Sequence, residues 1–253
     1  MQKFQTCAVV GRKTERMKRF FSRHFKINSK KPDFIVSYGG DGTILHSERL
    51  YSGVPKLALR HHRKCSVCSL EKTKTPHKAT EKVYCDSALE QIMEGIKTGR
   101  FSIQEFDKIQ ATAFVRKNGR KKKTTLVGLN EVQIHNSNHI HAVRFDFCLN
   151  GVCLNREIVG DGIVASTAYG STAYFYAITR KKFNVGFGIA FNNTIAGLKP
   201  VFLKKHFEIA IHIHRRNALL IADNNPKMVA LKEGDKVLVT PAKDKARMIK
   251  LKG

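Results

Sequence analysis

The 253-residue chain has no tryptophan, and its acids are scarce: 20 Asp and Glu stand against 46 Lys and Arg, for a net charge of +26. Such a surface attracts polyanions, whether nucleotides, polyphosphate, nucleic acid or acidic lipid. No apolar run approaches the ~20 residues that a membrane-spanning helix needs. The first residues, MQKFQTCAVV, are too short and too polar for a signal peptide, so a cytoplasmic protein is expected. Six cysteines are too few for a disulfide scaffold and are read as reduced thiols. Two common phosphate-binding signatures are also missing: GxxxxGK followed by Ser or Thr, and GxGxxG.

What is present describes a globular protein. Apolar residues make up 42%, and 16 phenylalanines supply core volume. The basic excess is scattered over Lys30-Lys31, Arg60 to Lys64, Arg120 to Lys123 and Lys243 to Lys250. It forms no continuous tail and is not interleaved with aromatics. A solvated, lysine-biased surface is therefore preferred to a nucleic-acid interface.

Strand and helix signals alternate in the first hundred residues. FQTCAVV (4–10), FIVSY (34–38) and KLAL (56–59) read as strands, and 12–27, 44–51 and 86–98 as helices. This βαβαβ order predicts an open, Rossmann-like parallel sheet. Beyond residue 100 the pattern turns to short antiparallel strands. Residues 109–136 read as strand, turn, strand around Asn118-Gly119, and 141–159 repeat the device around Asn150-Gly151. FNVGFGIAF (183–191), FEIAIHIHR (207–215), LLIAD (219–223), KMVALKEGDKVLVT (227–240) and ARMIKL (246–251) follow. The expected organisation is an α/β domain over 1–100 and a β-rich domain over 101–253, whose last strands pack back on the first.

Three motifs carry chemistry. Gly39-Gly40-Asp41-Gly42-Thr43 lies between a buried strand and a helix, where glycines let a phosphate approach the main chain. A carboxylate in such a loop would repel phosphate unless it holds Mg²⁺ or takes a proton from an attacking hydroxyl. Asn130-Glu131 pairs an amide with a carboxylate, a set able to bind a ribose diol or an adenine edge. The third motif is Gly160-Asp161-Gly162, a strand ending at Ser166, then Gly170-Ser171-Thr172-Ala173-Tyr174 as a turn expected to cap a helix. Its small residues allow a flat ring to lie on the backbone, and Tyr174 offers a stacking face.

GGDGT alone is shared with lipid kinases of the diacylglycerol kinase type. GGDGT, NE and GDG…GSTAY in this order resemble the NAD kinase family. The resemblance implies a two-domain fold with the site between the domains. It implies that Asp41 takes the proton of the adenosine-ribose 2′-hydroxyl of NAD, and that Gly39, Gly40, Gly42 and Thr43 line the phosphate donor. Asn130, Glu131, Ser166, Thr172, Ala173 and Tyr174 would hold the adenosine part, and Asp161 would meet the nicotinamide end, in the family often across a subunit interface. The donor would be ATP with Mg²⁺, or polyphosphate, and the assembly a homo-oligomer, a dimer or tetramer. The alternatives are a kinase of the same fold with another hydroxyl substrate, and an inactive relative that binds nucleotide or nucleic acid.

The sequence departs from that pattern downstream of GGDGT. Lys56 to Cys68 (KLALRHHRKCSVC) contains no GIN segment, and Tyr169 stands where the family has a small hydroxyl residue. Cys65-x-x-Cys68 has neighbouring histidines but no second closely spaced pair, so loop thiols are preferred to a zinc site or a redox pair.

Overall fold

The computed structural model describes residues 4–60, 84–85, 88–117 and 120–251. The Cys65 and Cys68 question and the turn at Asn118-Gly119 lie outside the described residues. The chain forms two compact units, Met1–Phe106 with Lys245–Gly253, and Asp107–Asp244.

The first unit runs β1 (Thr6–Gly11), α1 (Glu15–Ser22), β2 (Lys26–Ile27), β3 (Phe34–Tyr38), α2 (Asp41–Leu50), β4 (Lys56–Arg60), β5 (Tyr84–Cys85), α3 (Leu89–Lys97) and β6 (Phe101–Phe106), and takes back a final strand, β19 (Ala246–Leu251). Its sheet has the order β2-β1-β3-β4-β19-β6, with β5 beside β4. Pairing is parallel from β2 to β19, and β6 is antiparallel to β19. Every residue of β3 is buried, as expected of a strand covered on both faces. Phe34, Val36 and Tyr38 pack with Met17 and Phe21 of α1 and Ile92 and Met93 of α3. The alternate residue Ile35 joins Ala8 and Val10 on the other face, and Ser37 accepts a hydrogen bond from Ser47 of α2 at 3.1 Å.

Lys56 opens the buried strand β4 and is itself fully buried. Its Nζ donates to the carbonyls of Tyr51 (2.8 Å) and Val54 (2.7 Å) and pairs with Glu48. Glu48 also accepts the Gly53 N–H at 3.2 Å. A charge buried with its partner and with hydrogen bonds to spare is tolerable, whereas an unpaired one is not. The pair pins the C-terminal end of α2 to β4, and so fixes the helix that begins at Asp41.

The second unit contains β7 (Ile109–Lys117), β8 (Arg120–Gly128), β9 (Glu131–Asn136), β10 (Val143–Leu149), β11 (Val152–Gly160), β12 (Gly162–Thr167), α4 (Tyr174–Thr179), β13 (Phe187–Asn192), β14 (Val201–Leu203), β15 (Ile209–Arg215), β16 (Ala218–Ala222), β17 (Val229–Leu231) and β18 (Lys236–Pro241). They form two antiparallel sheets, β11-β10-β15-β18-β7-β8 and β14-β13-β12-β9-β16-β17. Both contribute to one core, where Phe145 and Phe147 of the first meet Ile163, Phe187 and Phe191 of the second. Alternation along β10 and β15 puts the apolar rows inside.

The turn between β10 and β11 is Asn150-Gly151, both with positive φ, as the tight hairpin requires. Three expectations are corrected. Residues 109–136 form three strands, because the chain breaks between Gly128 and Glu131. Residues 227–240 form two, with the turn at 232–235 between them. Cys148 and Cys153, opposed across the β10–β11 hairpin, are joined in a disulfide rather than reduced. The free thiol of Cys7 is buried, and burial pushes its pKa up to about 12, which leaves it inert at neutral pH.

Candidate active site

In the first unit, the GGDGT loop leaves the end of β3 and enters α2. Gly39 takes φ +157°, and a Cβ there would lie 2.2 Å from Thr43 Oγ1, so only glycine fits. Its N–H donates to the Leu59 carbonyl at 2.8 Å, which fastens the loop to β4. Gly40 is the N-cap of α2 and Asp41 its first residue, with no side-chain cap. Asp41 is therefore not a capping group. Its side chain is 73% exposed at the helix start, the positive end of the helix dipole. Arg60, at the end of β4, approaches it with Nη2 at 3.9 Å from Oδ1, and the buried Arg60 Nε has no partner among the described residues.

In the second unit, Asn130 and Glu131 sit on a sharp elbow between β8 and β9. One carboxylate holds it. Asp223 accepts the N–H groups of Leu129 (2.7 Å), Asn130 (2.9 Å) and Glu131 (3.0 Å), and its own N–H donates to the Glu131 carbonyl at 3.1 Å. From the other side, the Asn130 carbonyl accepts the Thr167 N–H (2.8 Å) and Ser166 Oγ (3.2 Å), while Thr167 Oγ1 donates to the Leu129 carbonyl at 2.6 Å. Gly170 packs so closely that a Cβ would lie 2.4 Å from the Asn130 carbonyl oxygen. The elbow's main chain is thus engaged on both flanks.

Glu131 is only 6% exposed, and its Oε2 has no hydrogen-bond partner among the described residues. Burial, and then the charge of Asp223, push its pKa up to about 8. At neutral pH it is mostly the neutral acid, able both to donate and to accept a hydrogen bond.

The remaining predicted residues spread along β12 and the turn after it. Ser166 is buried, with its hydroxyl committed to the elbow. Ser171 is also buried, whereas Thr172 is exposed. The expected cap by the Gly-Ser-Thr turn is not formed, since the N-cap of α4 is Ala173 and no side chain caps it. Tyr174 is half-exposed and meets the ring of His135 of β9 edge-on at 5.5 Å. Tyr169 turns inward and is buried. Asp161 is held by the amides of Asn136 (3.1 Å) and Asn193 (3.0 Å). Burial lowers the pKa of His135, with Asp161 opposing it.

Sequence reasoning missed Asp223 and Arg60. Asp223 lies 92 to 94 residues beyond the groups it binds and reads in sequence as a turn residue. Arg60 was visible only as one member of a basic run.

Comparison with known proteins bears on this arrangement. No family model matches the chain. It is 23% identical over 239 residues to an NAD kinase of Sulfurisphaera tokodaii, covering 89% of this chain and 84% of that one. It is 26% identical over 243 residues to an NAD kinase of Aquifex aeolicus, covering 91% and 81%. Its fold matches yeast NADH kinase complexed with NADH at a TM-score of 0.79, with 16% identity over 98% of this chain and 84% of that one. An NAD kinase from Archaeoglobus fulgidus in complex with ATP gives 0.71, with 17% identity over 96% and 92%. The fold, an α/β unit with a two-sheet β unit, is that of the NAD(H) kinases. The likeness in sequence to NAD kinases and the shared fold together support a kinase enzyme.

Proposed function

We propose that the protein is an NAD kinase that transfers the γ-phosphoryl group of ATP to the adenosine-ribose 2′-hydroxyl of NAD, giving NADP. The observation that carries this reading is Asp41: an exposed carboxylate, not used as a cap, on a glycine loop at the start of a helix. A ribose hydroxyl is a poor nucleophile and needs a base within hydrogen-bond reach, and helix N–H groups favour the phosphates it attacks. Asn130 and the neutral Glu131 supply amide and acid hydrogen bonds for the adenosine part, with Thr172, Ala173 and Tyr174 in the turn that follows Gly170, the residue packed on the Asn130 carbonyl. Ser166 acts through the elbow it ties down.

No group of three His, Cys, Asp or Glu able to hold a metal occurs among the described residues. Mg²⁺ would arrive on the nucleotide phosphates. Polyphosphate is the second candidate donor. Ile140 and Ile195 are 79% and 84% exposed, the first beside His141, whose carbonyl accepts from the Asn136 amide that also holds Asp161, the second close to Asn193, which holds Asp161 directly. That apolar margin favours a homo-oligomer in which Asp161 lies near a subunit contact.

A second reading is a kinase of the same fold with another hydroxyl acceptor. It is favoured by Arg60, which stands beside Asp41 in the segment that departs from the family pattern. One experiment separates them: incubation with NAD, ATP and Mg²⁺, with NADP read by an NADP-specific dehydrogenase and Asp41→Asn in parallel. NADP from the wild type alone supports the first reading. No NADP from a folded wild type, with ATP consumed on another alcohol, supports the second.

A further inference from the structure

We infer that a cleft at one corner of the sandwich unit binds a small phosphorylated anion, at a site separate from the Asn130-Glu131 elbow. The two sheets end at that corner in the edge strands β8 and β17. Between them opens a cavity of about 450 Å³, within the range of small-molecule sites. Its lining includes Arg116, Lys122, Lys227 and Lys232, with Val115 and Met228 as an apolar floor.

The lysine on β8 is informative because of the face it occupies. Leu126 of β8 is in the sandwich core, and Thr124 and Lys122 follow it on the same face by the two-residue period. Their neighbour Lys123 lies over the outward ring of Phe114 at 5.8 Å, which fixes the opposite face. The row that is apolar at Leu126 therefore turns cationic where the cavity opens. The one acid in the lining, Asp235, is committed to main-chain groups: it accepts the N–H of Arg116 (3.2 Å) and of Lys232 (2.8 Å). None of the four cations has a carboxylate partner among the described residues. An inward lysine on an edge strand is also a known guard against edge-to-edge pairing. That accounts for Lys122 alone, not for cations from three segments around one cavity.

The cleft is also remote from the elbow. Lys122 and Gly128 are six residues apart on β8, roughly 20 Å along the strand. A ligand held here would not occupy the adenosine pocket proposed above.

The test is calorimetric titration of the full chain with inorganic pyrophosphate, with and without saturating NAD. Expected is saturable binding that survives NAD and weakens at least about tenfold in Lys122→Ala/Lys232→Ala, with the melting temperature held. Arg19→Ala/Arg23→Ala removes the same charge from the exposed surface of α1 and the residue after it and should leave the affinity within about twofold. Absence of binding, complete displacement by NAD, or equal weakening in both double variants would overturn the inference and leave edge protection or general charge as the role of these lysines. The readout needs no turnover, so it stands apart from the NADP assay.

Discussion

The two units present their key carboxylates in opposite ways. In the α/β unit, Asp41 stands in solvent at a helix start, with one long-range contact to Arg60 and no share in the core. In the sandwich unit, Glu131 is buried on an elbow whose main chain is held by Asp223, Ser166 and Thr167. A group that transfers a proton must be reachable and need not stabilise the fold. A group that recognises a ligand by shape must be fixed, and fixing it makes recognition and stability inseparable. Substitutions should therefore separate activity from stability in the first unit and couple them in the second.

The largest effect is expected at Asp41. Asp41→Asn should lower kcat by roughly 10²–10⁴ while the melting temperature and the KM for NAD stay close to wild type. A melting-temperature loss of several degrees would break the contrast. Next comes Asp223→Ala, which strands three main-chain donors. It should cost about 2–4 kcal/mol of stability in urea unfolding and raise the KM for NAD more than it lowers kcat. A drop in kcat alone would show that Asp223 does not act through the elbow.

The pH dependence sharpens the comparison. The pKa of Glu131 is raised from 4.5 to about 8, so the folded state holds a proton that the unfolded state gives up between those values. Its contribution is complete below 4.5 and is lost as pH rises to about 8, at up to about 1.4 kcal/mol per unit. Asp33 of the α/β unit behaves in the reverse sense. The N–H of Gln5, and then that of Thr6, hold its pKa below 3.8, so its contribution is present above that value and lost in acid. Urea midpoints measured from pH 4 to 9 should fall with a slope that Glu131→Gln flattens and Asp33→Asn does not. The smallest effect is expected from reducing Cys148–Cys153. That link closes a five-residue separation already held by a hairpin, so its loss should cost no more than about 2 kcal/mol and leave turnover unchanged.

Much of the α/β unit was legible because its signals are local. FIVSY is a continuous apolar run, Gly39 has no room for a side chain, and the helices carry their own periodicity. The sandwich strands were also visible as alternating runs. The elbow was not. Residues 129 and 130 interrupt an otherwise plausible strand, and what stabilises the break is a carboxylate more than ninety residues away. The disulfide was missed for a related reason: cysteine count describes the chain as a whole, while the bond depends on Cys148 and Cys153 being opposed across Asn150-Gly151. The capping expectation for Ser171 and Thr172 failed because Ser171 turned inward and the helix began only at Tyr174, with Ala173 as its N-cap.

The return of β19 to the first unit has a consequence for the order in which the molecule is made. β19 lies between β4 and β6 in the sheet, yet the whole of Asp107–Asp244 is translated before it. At about 5–20 residues per second, a ribosome needs roughly seven to thirty seconds for that stretch. During this interval the nascent α/β sheet lacks the strand that joins its last two neighbours, and by its end, once β18 has emerged, the sandwich has every strand it needs to fold. The unit begun first is thus the last of the two to be completed.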